Sequence, residues 1–156
     1  ETKPGDFRVA AGPGANMKTH STALRLILLL GWVVGILVPL YSLRQMSPPF
    51  QALFDWAFQS HVSHVLMHAF LYAVLAVLLA ILCAPFFISP RRLCASVMIG
   101  VALVAVAQEG IQVSAEQIEL GKDEVFDVYV DLNGGLLGLL LYRTSARRRQ
   151  HGKGLS

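Results

Sequence analysis

From Val65 to Ile88 the chain carries no Asp, Glu, Lys or Arg, and this run limits the fold more than any other feature. About 20 apolar residues, rising 1.5 Å each, cross the roughly 30 Å of hydrocarbon in a bilayer. The run closes before Ser89-Pro90, where proline stops a helix. Three further apolar segments accompany it, from about Ala23 to Tyr41, Leu93 to Val113 and Val128 to Tyr142. Charged residues make up 15% of the 156 and hydrophobic ones 54%, with a mean hydropathy of +0.55, whereas soluble domains carry roughly 25% charge. The expected fold is therefore all-α: a polytopic membrane helical bundle of about four transmembrane helices (23–41, 65–88, 93–113, 128–142). An N-terminal tail (1–22), rich in Gly, Pro and Ala over its first sixteen residues and expected to be disordered, precedes it, and a basic tail (143–156) follows.

Lys and Arg concentrate on the cytoplasmic side of membrane proteins. Lys18 and Arg25 precede the first segment, Arg91 and Arg92 fill the loop after the second, and Arg143, Arg147, Arg148, Arg149 and Lys153 follow the fourth. Four spans put all three groups on one side, so the expectation is a multi-pass protein of the bacterial inner membrane with both termini cytoplasmic. The apolar stretch after Met17 has the charged lead of a signal peptide. It is followed by Pro39, Leu40 and Tyr41 where a small-x-small cleavage site would stand, so a retained anchor is expected. The same topology places Cys83 and Cys94 at a reducing face, where no disulfide forms. The positive tail reads as an orientation signal that touches anionic lipid headgroups, and nucleic acid is not an expected partner. In the loop after the first segment, Phe50, Phe54 and Phe58 recur every four residues, which puts them on one face of a short helix, lying at the interface or packed over the bundle mouth.

Three apolar segments are interrupted by polar residues near the same leaflet. The second begins with His61, His64, His68 and Tyr72, spaced by three, four and four, which aligns them on one helical stripe. The third ends with Gln108, Glu109 and Gln112, and the fourth starts with Asp127 and Asp131, followed by Asn133, Gly134, Gly135 and Gly138. An Asp inside hydrocarbon costs about 2.5–3.5 kcal/mol at the centre, so such groups face the bundle interior and find partners. A contact of His68 with Glu109 or Asp131 is expected, with Tyr72 bonded into the same network. His68, Glu109 and Asp131 are the candidate acid-base residues, and His64, Gln108, Gln112, Asp127 and Asn133 are counted with the ligand-binding or polar network. No HExxH or cysteine-pair signature is present, so neither metal nor cofactor is expected. Gly134 and Gly138 form a small-x-x-x-small pair that lets another backbone approach closely, either within the chain or in a homodimer.

These residues resemble the VanZ-like family of small bacterial membrane proteins. Its helices carry an Asp-Lys-x-x-His-x-x-x-Tyr element, a Glu-x-x-Gln element and a final Asp-x-x-x-Asn-x-x-Gly-x-x-x-Gly element. Over His61 to Tyr142 this chain has HVLMHAFLY, where His68 and Tyr72 match while His64 and Val65 replace the acidic-basic pair, and EGIQ, which supplies Glu109 and Gln112. It closes with DVYVDLNGGLLG, where Asp127, Gly134 and Gly138 match and Asp131 takes the place of the Asn. An Arg shortly before that Asp is usual in the family, and Lys122 is the nearest equivalent here. The resemblance implies a role in the cell envelope, since the founding member is linked to low-level resistance to the glycopeptide teicoplanin. On this reading the cluster binds or modifies a lipid-linked or cell-wall-related ligand. The alternative is a non-catalytic accessory or assembly subunit, whose cluster is structural and whose outer loops dock a protein partner.

Overall fold

The computed structural model describes residues 14–38, 47–57, 60–117 and 121–153. Every element among the described residues is helical: α1 (Gly14–Leu37), α2 (Pro48–Ala57), α3 (His61–Cys83), a 3-10 turn (Ala84–Phe86), α4 (Pro90–Glu116) and α5 (Lys122–Lys153). Three stretches, His61–Phe86, Pro90–Ala115 and Lys122–Arg148, are long and apolar enough to cross a membrane, which makes this a helical membrane protein. The apolar part of α1, Thr22–Leu37, is shorter than these, and positions 39–41 of the expected first span lie outside the described residues. So does Phe58 of the aromatic repeat, and the side chains of Phe50 and Phe54 are likewise not described.

Local chemistry fixes the helix ends. Ser60 sits in extended backbone and its hydroxyl accepts from the Ser63 N–H at 3.1 Å, capping α3. Pro85 then ends α3 in the 3-10 turn, and Pro90, which needs no N–H partner in a first turn, opens α4. Gln117 closes α4 in the left-handed region at φ 54°, and its N–H bonds the Val113 carbonyl. Asp123 and Glu124 occupy the first turn of α5, where carboxylates offset the helix dipole, and Glu124 Oε2 accepts from the Gly121 N–H at 2.7 Å. The helices therefore continue past the expected spans: α5 begins six residues before Val128 and α4 ends three residues after Val113.

The core is built from side chains that recur every four residues. On α4 the buried stripe is Val97, Val101, Ala105 and Glu109, and on α3 it is His68, Tyr72, Ala76 and Ala80. On α5, Asp131, Gly135 and Leu139 face inward. Each helix thus presents one continuous face, apolar and small toward one end and polar toward the other. The α3 and α5 backbones touch: a Cβ on Gly134 would lie 2.8 Å from Ala69 Cα, and one on Gly138 would lie 2.9 Å from the Ala73 carbonyl carbon. The glycine pair is thus taken up within the chain, by Ala69 and Ala73. Contacts advance together along α3 and α5 (64 with 127, 68 with 131, 73 with 138), so these two helices run parallel, with α4 returning between them in sequence. Helix α1 leans on this trio through Leu29 and Ile36, its buried positions. Trp32 of α1 donates its indole N–H to the Leu71 carbonyl at 2.9 Å, edge-on to Phe70. Exposed Leu, Ile, Val and Phe cover the outer faces of the long helices, as a lipid solvent requires.

Candidate functional site

Because the α3 and α5 backbones meet at Gly134, the residues one turn before it on α5 are pressed against the start of α3. Asp131 faces His68, with Nδ1 and Oδ1 2.9 Å apart, and one turn nearer the helix ends Asp127 Oδ2 lies 3.2 Å from His64 Nε2. Two imidazole–carboxylate pairs are therefore stacked along one seam, and the His64 and His68 rings stand 4.5 Å apart. Helix α4 closes the third side with Glu109 at the end of its buried stripe. One step back, Gln108 Oε1 accepts from the Tyr72 hydroxyl at 2.8 Å.

His68 is 7% exposed, Glu109 3% and Asp131 0%, so all three candidate acid-base residues are enclosed by protein and turned away from lipid. One ligating atom from each lies within 4.8 Å of the others. A second set, His64, His68 and Asp127, meets the same limit and shares His68. Measured along the helix axes, His68 and Glu109 are each about 10 Å and Asp131 about 13 Å from the nearest end of their helix. The site thus lies at one depth, some two turns inside one end of the bundle.

Of the two contacts expected for His68, with Glu109 or with Asp131, the hydrogen bond formed is the one to Asp131, and Tyr72 enters the cluster through Gln108. Gln112, one turn beyond Glu109, is half-buried. Two residues fall outside the group. Asn133 is exposed and its amide donates to the Tyr129 carbonyl of its own helix at 2.7 Å. It stands two residues, about 200°, from Asp131 and so on the other side of α5, which corrects its place in the network. His61 is exposed and stacks on Phe126 with ring centroids 5.6 Å apart. Sequence reasoning missed the alanines, Ala69 and Ala73, that receive the glycines, although their four-residue spacing beside Tyr72 was a readable signal.

The partners do not exhaust the site. Both oxygens of Glu109 and Oδ2 of Asp131 are fully buried with no hydrogen-bond partner among the described residues. Buried polar groups in proteins are nearly always satisfied, and the cost of leaving one unmade is highest where water is excluded. Among the described residues, the two Glu109 oxygens and Asp131 Oδ2 are thus buried acceptors with no donor bonded to them.

Fold and site together define a helical membrane protein with an enclosed imidazole–carboxylate cluster between three helices. No protein-family model, curated protein or solved structure matches the chain.

Proposed function

We propose that this chain is a VanZ-like integral membrane protein of the bacterial inner membrane whose cluster of His68, Glu109 and Asp131 binds, and in one version modifies, an envelope-related ligand. The observation that carries the binding role is Glu109: a carboxylate at 3% exposure with both oxygens unpartnered is a poor structural lock and a good receptor for a donor or a cation. His68 and Asp131, bonded to each other, provide an acid-base pair beside it. In this reading both termini are cytoplasmic and the cluster opens toward the outer leaflet, in keeping with the Lys and Arg flanking the spans.

A second reading, an accessory subunit with a structural cluster, draws on the two imidazole–carboxylate pairs and the glycine contacts, which join α3 to α5 without any ligand. Glu109→Gln separates the two, because it keeps the shape and removes the charge. The parent and variant are expressed in a teicoplanin-susceptible bacterium, and the minimal inhibitory concentration, membrane abundance and melting temperature are measured. Loss of a resistance shift at unchanged abundance and melting temperature supports ligand binding. A parallel fall of all three supports the structural reading, and no shift with the parent removes the envelope reading. Orientation is tested with Cys83 and Cys94 replaced by Ser and single cysteines placed at Ser89 or Ser145: labelling of either by an impermeant maleimide from outside overturns it.

A further inference from the structure

We infer that the ligand of this cluster is a single divalent transition-metal ion of the zinc or manganese class, held by His68, Glu109 and Asp131. The inference rests on the proposal above that the cluster takes a ligand, and it names the chemistry of that ligand.

Charge comes first. When both are ionised, two carboxylates within 4.8 Å of each other, enclosed at membrane depth, put two negative charges where water cannot solvate them. A dication with a neutral imidazole cancels them in full. A protonated His68 would cancel one, and the Glu109 oxygens would still face no donor among the described residues. The donor set comes second. One imidazole nitrogen and two carboxylate oxygens suit zinc, manganese or ferrous iron, whereas magnesium and calcium take oxygen ligands alone. Bonds of about 2.0–2.2 Å around a tetrahedral ion set ligand atoms about 3.5 Å apart. Atoms that already stand within 4.8 Å reach that spacing by side-chain rotation of about an ångström. Third is the orphaned set: Glu109 Oε1 and Oε2 and Asp131 Oδ2 are oxygens that an ion would take up, and the His68 Nδ1 that faces Asp131 Oδ1 at 2.9 Å would turn its lone pair to the same ion.

The neighbouring set adds a route. His64 and Asp127 have side chains 35% and 16% exposed, and with His68 they form the overlapping cluster one turn nearer the helix ends. An ion from the aqueous side meets these ligands first and passes to the enclosed set through the shared His68. Three protein ligands also leave coordination positions open, the count found where a metal takes water or a substrate oxygen as its last ligand.

The test uses the full chain, purified in detergent without a histidine tag, with His20, His61 and His151 changed to Ala to remove distal imidazoles. After chelator stripping, zinc and manganese are titrated separately. Bound metal per chain is counted by mass spectrometry, the melting temperature is followed, and the ligand set is read by X-ray absorption. Expected are one ion per chain, a melting temperature that rises with metal, and a shell of one imidazole with carboxylate oxygens. Glu109→Gln and Asp131→Asn, both close in shape to the parent, should each weaken binding at least about tenfold, while Asn133→Ala should not change it. Equal affinity in Glu109→Gln and the parent, or an all-oxygen or sulfur shell, overturns the inference. If neither ion binds below about 100 µM while Glu109→Gln still abolishes function at unchanged stability, the metal falls and the ligand-binding proposal stands. If Glu109→Gln is also without effect on function, both fall.

Discussion

Gly134→Ala tests how the site is held together. The added Cβ would stand 2.8 Å from Ala69 Cα and 3.0 Å from its carbonyl carbon, and nearer still to the Ala69 oxygen, where ordinary contact is 3.4–4 Å. All three obstacles are backbone atoms, so no rotamer relieves the clash and α5 must retreat by about an ångström. Overpacking of this kind costs roughly 1–3 kcal/mol, and a 1 Å gap forfeits a quarter to a half of the dispersion along the seam. Asp131 lies one turn away, and its 2.9 Å bond to His68 would stretch past hydrogen-bonding range, adding about 1–3 kcal/mol for a buried group left unmatched. The better helix propensity of Ala returns up to about 1 kcal/mol. The expected net loss is about 3 kcal/mol, roughly a hundredfold in the folded-to-unfolded ratio. Equilibrium unfolding of the detergent-solubilised chain in rising dodecyl sulfate, followed by far-UV circular dichroism, measures it. Gly110→Ala is the matched control, because a Cβ at Gly110 meets nothing within 4 Å, and it should be neutral or slightly stabilising. A loss below about 0.5 kcal/mol for Gly134→Ala, or an equal loss for the control, would refute backbone contact as the source of the site's geometry.

Three other outcomes are expected from the same unfolding assay. His68→Ala strands the buried Asp131 and should cost about 3–5 kcal/mol, whereas adding Asp131→Ala should recover part of that loss; strict additivity would mean the pair is not coupled. Trp32→Phe keeps the ring against Phe70 but removes the bond to the Leu71 carbonyl, for a loss of about 1 kcal/mol, and easier proteolysis of α1 would accompany it. Gln117→Gly relieves a side chain at φ 54° and should stabilise by up to about 1 kcal/mol, read as a higher melting temperature.

The polar cluster was legible before any coordinates because a bilayer leaves ionisable groups few places to go. His64, His68, Asp127 and Asp131 repeat at the spacing of one helical face, and burying each in a three-helix interior brings the faces together. The choice of partner was not legible: spacing admits Glu109 or Asp131 for His68, and the Gly134–Ala69 approach, a matter of inter-helix register, decides for Asp131. Of the expected first span, positions 23–37 lie in the described helix, and 39–41 fall outside the described residues. Asn133 failed for a simpler reason: motif proximity placed it with the cluster, and two residues of helical rotation take it to the opposite side. Length and apolarity locate the membrane-crossing stretches, but the helices around them are set by caps such as Ser60, Pro90 and Glu124, which carry α3, α4 and α5 beyond their apolar cores.

Parallel α3 and α5, joined through α4, impose an order on biogenesis. The segment with carboxylates at 127 and 131 is made after α3 and α4, and its acidic residues oppose partition into lipid by a few kcal/mol when it stands alone. By the time it emerges, the imidazoles of His64 and His68 are already in place on an earlier and far more apolar segment. That segment therefore enters the bilayer most easily against a finished neighbour, so a fault in α3 would surface as a misinserted α5.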